Sequence, residues 1–394
     1  MDRFGDKICC NPTVKLKKQE SYPVIDIDKI TPGYKAVRSV ASIEYTGQGG
    51  AKFQDHDVLF ARITPCLENG KMAIADTEGQ NGIGSTELFV FRGIDGVSDT
   101  DYVYYLLCMK HIRQLAANSM TGASGRQRAD LDFIKRIQWD FPDIEIQKKI
   151  ASVLSAYDNL IEVNNKRIKV LEQMAENLYK EWFVRFRFPG HETAEFENGI
   201  PEGWAYRRAD EVIDFNPTLK TGNQTEFTII PMEALSTNSM VLDSGCFVRQ
   251  DSISGRRSQN GDTLLAKITP CLENGKTGFV MGMPENEVLG GSTEFVVMRS
   301  KALTPHYVYC IARSYYFRQT AILSMNGADG RQRVDEDKLK SAKILQPEKT
   351  VLDHFETIVT PIFDGVYQMV QENKNLIQQR DLLLPRLMSG KLEV

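Results

Sequence analysis

The nine residues ITPCLENGK occur twice, at 63–71 and at 268–276, a spacing of 268 − 63 = 205. Asn11-Pro12-Thr13 returns as Asn216-Pro217-Thr218 at the same offset. Gly125-Arg126-Gln127-Arg128 returns as Gly330-Arg331-Gln332-Arg333. A chain written twice must fold as two similar bodies, so each copy has to bury a core of its own. A function that needs two similar surfaces follows from that duplication.

Each copy opens with strands and turns. Val58-Leu59-Phe60-Ala61 and Leu264-Leu265-Ala266 are short apolar strand candidates, and Gly70 and Gly275 mark turns. A second strand candidate, GSTELFVFR at 84–92, has its partner GSTEFVVMR at 291–299. The offset there is 207, so the second copy carries two extra residues in the intervening loop. Register returns to 205 at Tyr102-Val103-Tyr104 and Tyr307-Val308-Tyr309. One helix is expected from there in each copy, carrying Arg113-Gln114 and Arg318-Gln319, before the polar glycine-rich loops at 119–128 and 324–333.

After Pro142 the pattern changes. Ile150, Leu154, Tyr157, Ile161, Asn164, Ile168, Leu171, Ala175 and Leu178 alternate spacings of four and three, a heptad seam interrupted by one asparagine. After Pro347 the seam recurs as Phe355, Val359, Ile362, Val366, Met369, Asn373 and Leu376, with Pro361 expected to kink or restart the helix. A single such helix reads as an amphipathic face on a globular core. Two, each closing a copy and each with one polar interruption, favour an antiparallel pair whose register Asn164 and Asn373 mark.

Composition excludes several classes. No apolar stretch approaches the roughly 18 residues that span a bilayer, and MDRFGDKICC lacks the apolar core of a signal peptide. The expected location is the cytoplasm, with no membrane partner. Seven cysteines without a CxxC pair suggest neither a disulfide framework nor a zinc site, and no metal site is expected. Cys66 and Cys271 read as small packing residues. The five histidines do not recur between copies, which argues against histidine-based catalysis. The net charge of −4 argues mildly against nucleic acid, yet basic residues cluster in turns: Arg126/Arg128, Arg331/Arg333, Arg256/Arg257, Arg207/Arg208 and Arg185/Arg187.

Catalytic motifs fail on inspection. The Asn-Pro-Thr triplets lack the second proline and the aromatic of the Asn-Pro-Pro-aromatic loop of amino-methyltransferases, and read as turns at strand ends. Gly275-Lys276-Thr277 has Pro270 where a phosphate-binding loop needs its first glycine. Glu68 and Lys71 are one residue too far apart for a nuclease Glu-x-Lys pair. What remains suits reading rather than reacting. Arginine reads guanine, Gln or Asn reads adenine, and Lys holds phosphate. The DNA-contact candidates in the first copy are Lys52, Arg62, Thr64, Asn69, Lys71, Ser85, Thr86, Gly125, Arg126, Gln127 and Arg128. Those in the second are Arg257, Lys267, Thr269, Asn274, Lys276, Ser292, Thr293, Gly330, Arg331, Gln332 and Arg333. For ITPCLENGK itself, a structural turn and a contact surface stay equally open.

These blocks resemble the specificity subunits of type I restriction–modification systems. The matching parts are the DVLFARITPCLENGK-like blocks at 57–71 and 262–276, the STEL and STEF strands, and the Gly-Arg-Gln-Arg loops. The segment 146–183, Pro201-Glu202-Gly203-Trp204 and the C-terminal LLLPRLMSGKL also match. The first copy lacks the Gly-Trp opening, so its first strand is expected to be shortened. The resemblance implies an α/β (mixed α+β) fold. Two similar target recognition domains, related by pseudo-twofold symmetry, would be separated by two long antiparallel coiled-coil helices. Expected boundaries are 1–143 and 191–347 for the recognition domains, with 144–190 and 348–394 for the spacer helices. The resemblance further implies double-stranded DNA and two methyltransferase (modification) subunits as partners, with restriction or translocase subunits in the fuller assembly. The chain itself would be non-catalytic and hold no cofactor; S-adenosylmethionine, ATP and Mg would belong to the partner subunits. The recognition subunit of a related type IIB-like system, and a scaffold with two non-DNA ligand domains, are the alternatives.

Overall fold

The computed structural model describes residues 1–123, 125–328 and 330–394. The chain forms two compact units: Met1–Val163 with Asn373–Val394, and Asn164–Glu372. Two long helices, the central helix Ile144–Tyr179 and the distal helix Lys349–Met388, each contribute a segment to both units.

The first unit is built on a five-stranded sheet of β1 (Ile8–Cys10), β2 (Ala36–Arg38), β3 (Val58–Ala61), β4 (Met72–Asp76) and β5 (Leu88–Gly93), in the order β1-β5-β3-β4-β2. The pairing is antiparallel except for β2 against β4, with Val58 opposite Phe91 and Ile74. Successive side chains of a strand face opposite ways. Val58, Phe60, Phe89 and Phe91 accordingly join the cluster that contains the helices. Leu59, Leu88 and Val90 pack on the other face with Ile25 and Phe53. A sheet covered on both faces needs unbroken apolar runs rather than alternation, which explains why VLFA and LFVF are wholly apolar.

The second unit repeats this plan with β6 (Ile213–Phe215), β7 (Thr263–Ala266), β8 (Thr277–Phe279) and β9 (Phe295–Ser300), in the order β6-β9-β7-β8. Leu265, Val296 and Met298 face one core while Leu264, Phe295 and Val297 face the other. The strand expected to be shortened is so: Asp2–Arg3 pairs with Gln138–Trp139 over two residues, whereas Ala205–Arg208 pairs with Lys343–Gln346 over four.

The single helix expected after each sheet is two helices. Thr100–Cys108 and Lys110–Asn118 meet at Met109, whose backbone is extended. Pro305–Arg313 and Tyr315–Leu323 meet at Ser314, whose side chain accepts from the Phe317 amide. A serine that caps the second helix ends the first one there.

Most residues of the heptad seams are buried as expected, while Tyr157, Leu171, Leu178, Ile362, Met369 and Leu376 are half-buried. Ile150, Leu154, Ile161, Asn164, Ile168 and Ala175 are all less than 9% exposed, as are Phe355, Val359, Val366 and Asn373. In the first unit Ile150 and Leu154 share a core with Leu384, Leu387 and Met388. In the second, Ile168 and Ala175 share one with Phe355, Val359, Phe363 and Val366. Asn164 donates to Glu372 Oε2 at 2.9 Å, a specific bond where an apolar residue would tolerate sliding. The expected restart at Pro361 does not occur. The helix continues through it, because Phe355, Val359, Phe363 and Val366 are fully buried around the proline and tertiary packing outweighs one lost backbone bond.

Candidate nucleic-acid interface

ITPCLENGK is a tight turn in both units. It joins β3 to β4 through Leu67 N–H to Ile63 O at 3.0 Å, Asn69 N–H to Pro65 O at 3.0 Å and Lys71 N–H to Cys66 O at 2.9 Å. Leu272, Asn274 and Lys276 repeat the pattern at 3.1, 2.9 and 3.0 Å. Leu67 and Leu272 are buried anchors. Gly70 and Gly275 have positive φ, and a Cβ on Gly70 would meet the Arg113 guanidinium at 2.3 Å. Thr64-Pro65 and Thr269-Pro270 are cis. Lys71 donates to Ile27 O at 2.9 Å and Lys276 to Met232 O at 3.1 Å, so both lysines tie the turn to a neighbouring loop.

The Gly-Arg-Gln-Arg loop is stitched onto that turn. Thr64 N–H donates to Gln127 O, and Ala129 N–H to Arg62 O; Thr269 and Val334 repeat both bonds, to Gln332 O and Lys267 O. Thr121 and Arg128 exchange backbone bonds, as do Asn326 and Arg333. The second arginine of each loop is clipped to the glutamate of the GSTE strand start. Arg128 Nε lies 2.8 Å from Glu87 Oε2, and Arg333 Nε 2.9 Å from Glu294 Oε2, each as a two-pronged pair. Hydrogen bonding from these arginines holds both carboxyls below the usual glutamate range. Ser85 and Ser292 accept the Glu87 and Glu294 amides, which fixes the carboxylates in place.

The candidate residues therefore sort into two groups. Lys71, Lys276, Arg128, Arg333, Ser85 and Ser292 build the platform, with Thr64 and Thr269 at its seam. Lys52 reaches the Tyr45 hydroxyl at 2.6 Å and lies over its ring, Arg257 binds the Leu219 carbonyl, and Lys267 pairs with Glu336 at 2.9 Å. The second group is open. Arg126 and Arg331 are exposed and form no ion pair among the described residues; Gly125 and Gly330, at positive φ, present them. Asn69, Asn274, Thr86 and Thr293 are exposed, and Gln127 and Gln332 are half-buried beside the arginines. The result in each unit is a clamped loop carrying one exposed guanidinium and one amide, the donor set suited to base edges and phosphates.

Two features were not singled out from sequence, the buried aspartates and the glutamate clip, whereas the Asn-Pro-Thr turns were. Asp57 and Asp262, each 1% exposed, pair with Arg92 and Arg299 through two bonds of 2.6 to 2.7 Å at the end of the strands opposite the platform. Burial raises the Asp262 carboxyl, although Arg299 opposes that. Glu87 and Glu294 recur at offset 207, which was the available signal for the clip. Asn11 and Asn216 take left-handed φ and accept from the Val90 and Val297 amides, so the Asn-Pro-Thr triplets are turns at strand ends. The first of these lines a cleft of about 430 Å³ with Arg62, Phe89, Arg128 and Leu131.

Comparison with known proteins gives the following. Residues 8–173 match the family model for the type I restriction modification DNA specificity domain. The type I restriction enzyme MjaVIII specificity subunit of Methanocaldococcus jannaschii is 23% identical, covering 100% of this chain and 92% of its own. The MjaIX specificity subunit of the same organism is 25% identical, covering 77% and 72%. The crystal structure of the type I restriction–modification S subunit from M. genitalium superposes with a TM-score of 0.56 at 14% identity, over 98% of this chain and 94% of that one. At that identity the superposition speaks for the fold.

Proposed function

We propose, for a chain that belongs to the type I restriction–modification specificity subunits, that each unit reads one half of a split double-stranded DNA site. The observation that carries the reading is the duplicated platform, on which Arg126 with Gln127 and Arg331 with Gln332 are the uncommitted donors of two otherwise clamped loops. Half to two-thirds of protein–DNA hydrogen bonds go to the backbone, and bases are read by a few side chains such as these. In this reading 1–143 and 191–347 are the recognition domains, and the helical stretches 144–190 and 348–394 set the spacing.

The helices also dock partners. Outside its buried seam, the central helix exposes Val153, Leu160 and Met174 at multiples of seven, and Val163 and Val170 seven apart. A second apolar stripe on a helix whose first stripe is already covered is suited to a partner's helix. We assign it to the two methyltransferase subunits, which supply S-adenosylmethionine chemistry, while ATP- and Mg-dependent translocation belongs to further subunits. The chain contributes recognition and no catalysis.

The test is a mobility shift with the chain and its methyltransferase partner. Sequence-specific binding that weakens steeply with salt is expected. Binding that is absent, or indifferent to sequence, refutes the reading.

A further inference from the structure

One equivalent place near the platform is built differently in the two units. In the second unit Glu336 fills it: its Oε2 accepts from Asn216 Nδ2 at 2.8 Å, and its Oε1 from Lys267 Nζ at 2.9 Å and Arg256 Nη2 at 2.8 Å. At offset 205 the first unit has Asn11, Arg62, Ala51 and Leu131 in place of Asn216, Lys267, Arg256 and Glu336. The alignment of this place does not rest on counting alone. Gly50 and Gly255, each just before the Ala51/Arg256 position, have positive φ, and a Cβ on either would collide with the carbonyl of Gly84 or its counterpart Gly291.

At this place the first unit has a cleft of about 430 Å³, lined by Asn11, Arg62, Phe89 and Leu131, with no carboxylate at the Glu336 position. The polar groups that hold the carboxylate in the second unit remain. Asn11 Oδ1 is occupied by the Val90 amide, as Asn216 Oδ1 is by Val297, so the Asn11 amide N–H group is the available donor. The Arg62 guanidinium lies 4.8 Å over the Phe89 ring, and its buried Nε has no hydrogen-bond partner among the described residues. Two carboxylates lie close by. Glu87 feels the Arg62 charge but is gripped by Arg128, and Asp130 caps the helix Leu131–Arg136 through the amides of Asp132 and Phe133. Arg62 is thus a stacked, planar donor with an unused edge, a geometry that receives a tetrahedral oxyanion.

We propose that this cleft of the first unit binds a phosphate-type oxyanion through Arg62 and Asn11, at the place where the second unit carries its own carboxylate on Glu336. On the DNA-reading function proposed above, that oxyanion is a backbone phosphate, and the two units grip DNA unequally; a free oxyanion has the same chemistry.

The discriminating variant is Leu131→Glu, which installs the second unit's carboxylate in the first. Inorganic phosphate titrated calorimetrically into the full chain at constant ionic strength is expected to bind at one site per chain. Leu131→Glu and Arg62→Met should each abolish it, and Glu336→Leu should add a second site. Circular dichroism checks that each variant is folded, and Arg62→Met carries the test if Leu131→Glu is not. In the second arm, the complex with methyltransferase partners binds DNA across a salt series. Leu131→Glu should weaken binding about tenfold or more and lower the salt slope by about 0.9, the loss of one phosphate contact. Phosphate binding with an unchanged DNA slope assigns the site to a free oxyanion; a changed slope assigns it to the backbone. Absence of both phosphate binding and a slope change overturns the inference, even where the wild-type complex binds DNA specifically. If the complex binds no DNA specifically, the proposed function falls and the phosphate titration alone judges the cleft.

Discussion

Arg380 of the distal helix pairs with Asp158 of the central helix inside the first unit, and the Tyr105 hydroxyl donates to the same carboxylate. Asp158 is 6% exposed. At offset 205 the second unit has Phe363 for Asp158, Cys310 for Tyr105 and Ala175 for Arg380, all buried in one core. One architecture therefore uses a buried ion pair in one unit and apolar packing in the other. Arg380→Ala removes the cation and leaves a buried carboxylate held by a phenol, at a cost of about 3–5 kcal/mol. The triple replacement Asp158→Phe, Tyr105→Cys, Arg380→Ala transplants the second unit's solution. It should recover most of that loss, because apolar replacement of a buried pair is neutral or stabilising by roughly 1–4 kcal/mol. Hydrogen exchange read on peptides from 150–160 and 380–388 follows this unit specifically. The single variant should lose protection there while peptides from the second unit stay protected. A single variant as protected as wild type, or a triple variant less protected than the single, would refute the reasoning.

Other outcomes follow from the platform and the helices. Arg126→Ala should weaken DNA binding and lower its salt slope by about one without changing thermal stability, whereas Arg128→Ala should loosen the loop by freeing Glu87; equal effects on stability would contradict the sorting of the two arginines. Asp101 is subject to burial, which raises its carboxyl, but His56 at 3.4 Å and Lys35 at 2.6 Å prevail and hold it at about 2. A carboxyl lower in the folded state than its ordinary 3.8 stabilises above that value and loses its effect as pH falls through 2. Asp101→Asn should therefore cost about 2 kcal/mol at neutral pH and progressively less as pH falls through 2, and an acid-denaturation curve with the same loss in both proteins would count against this. Val163→Glu with Val170→Glu should abolish co-purification with the methyltransferase subunit while leaving the isolated chain folded; intact co-purification would remove the exposed stripe as the docking surface.

Much of this was legible in the sequence, and the reasons are physical. A repeated string implies a repeated turn, and the heptad seam marks which side of each long helix is buried; Ile150, Leu154, Ile161, Asn164 and Ile168 all proved so. Pairings between distant residues were not legible. Nothing local joins Arg128 to Glu87, Arg380 to Asp158, or Glu336 to Asn216, because each depends on how the strands and helices close. Pro361 does not restart the helix, because a local rule met a helix packed by four fully buried residues. The basic residues looked alike in sequence, yet Lys71, Lys267 and Arg257 hold the fold while Arg126 and Arg331 remain open.

The central claim is that two units read two half-sites at a distance set by the helices. Genome-wide mapping of methylated adenines, for the wild type and for a variant with one heptad inserted within 166–178, tests it most directly. The account predicts a bipartite motif whose halves are partly inverted copies around an unspecified gap, and a changed gap with the same halves in the variant. A continuous motif, or an inserted heptad that leaves the gap unchanged, would contradict it.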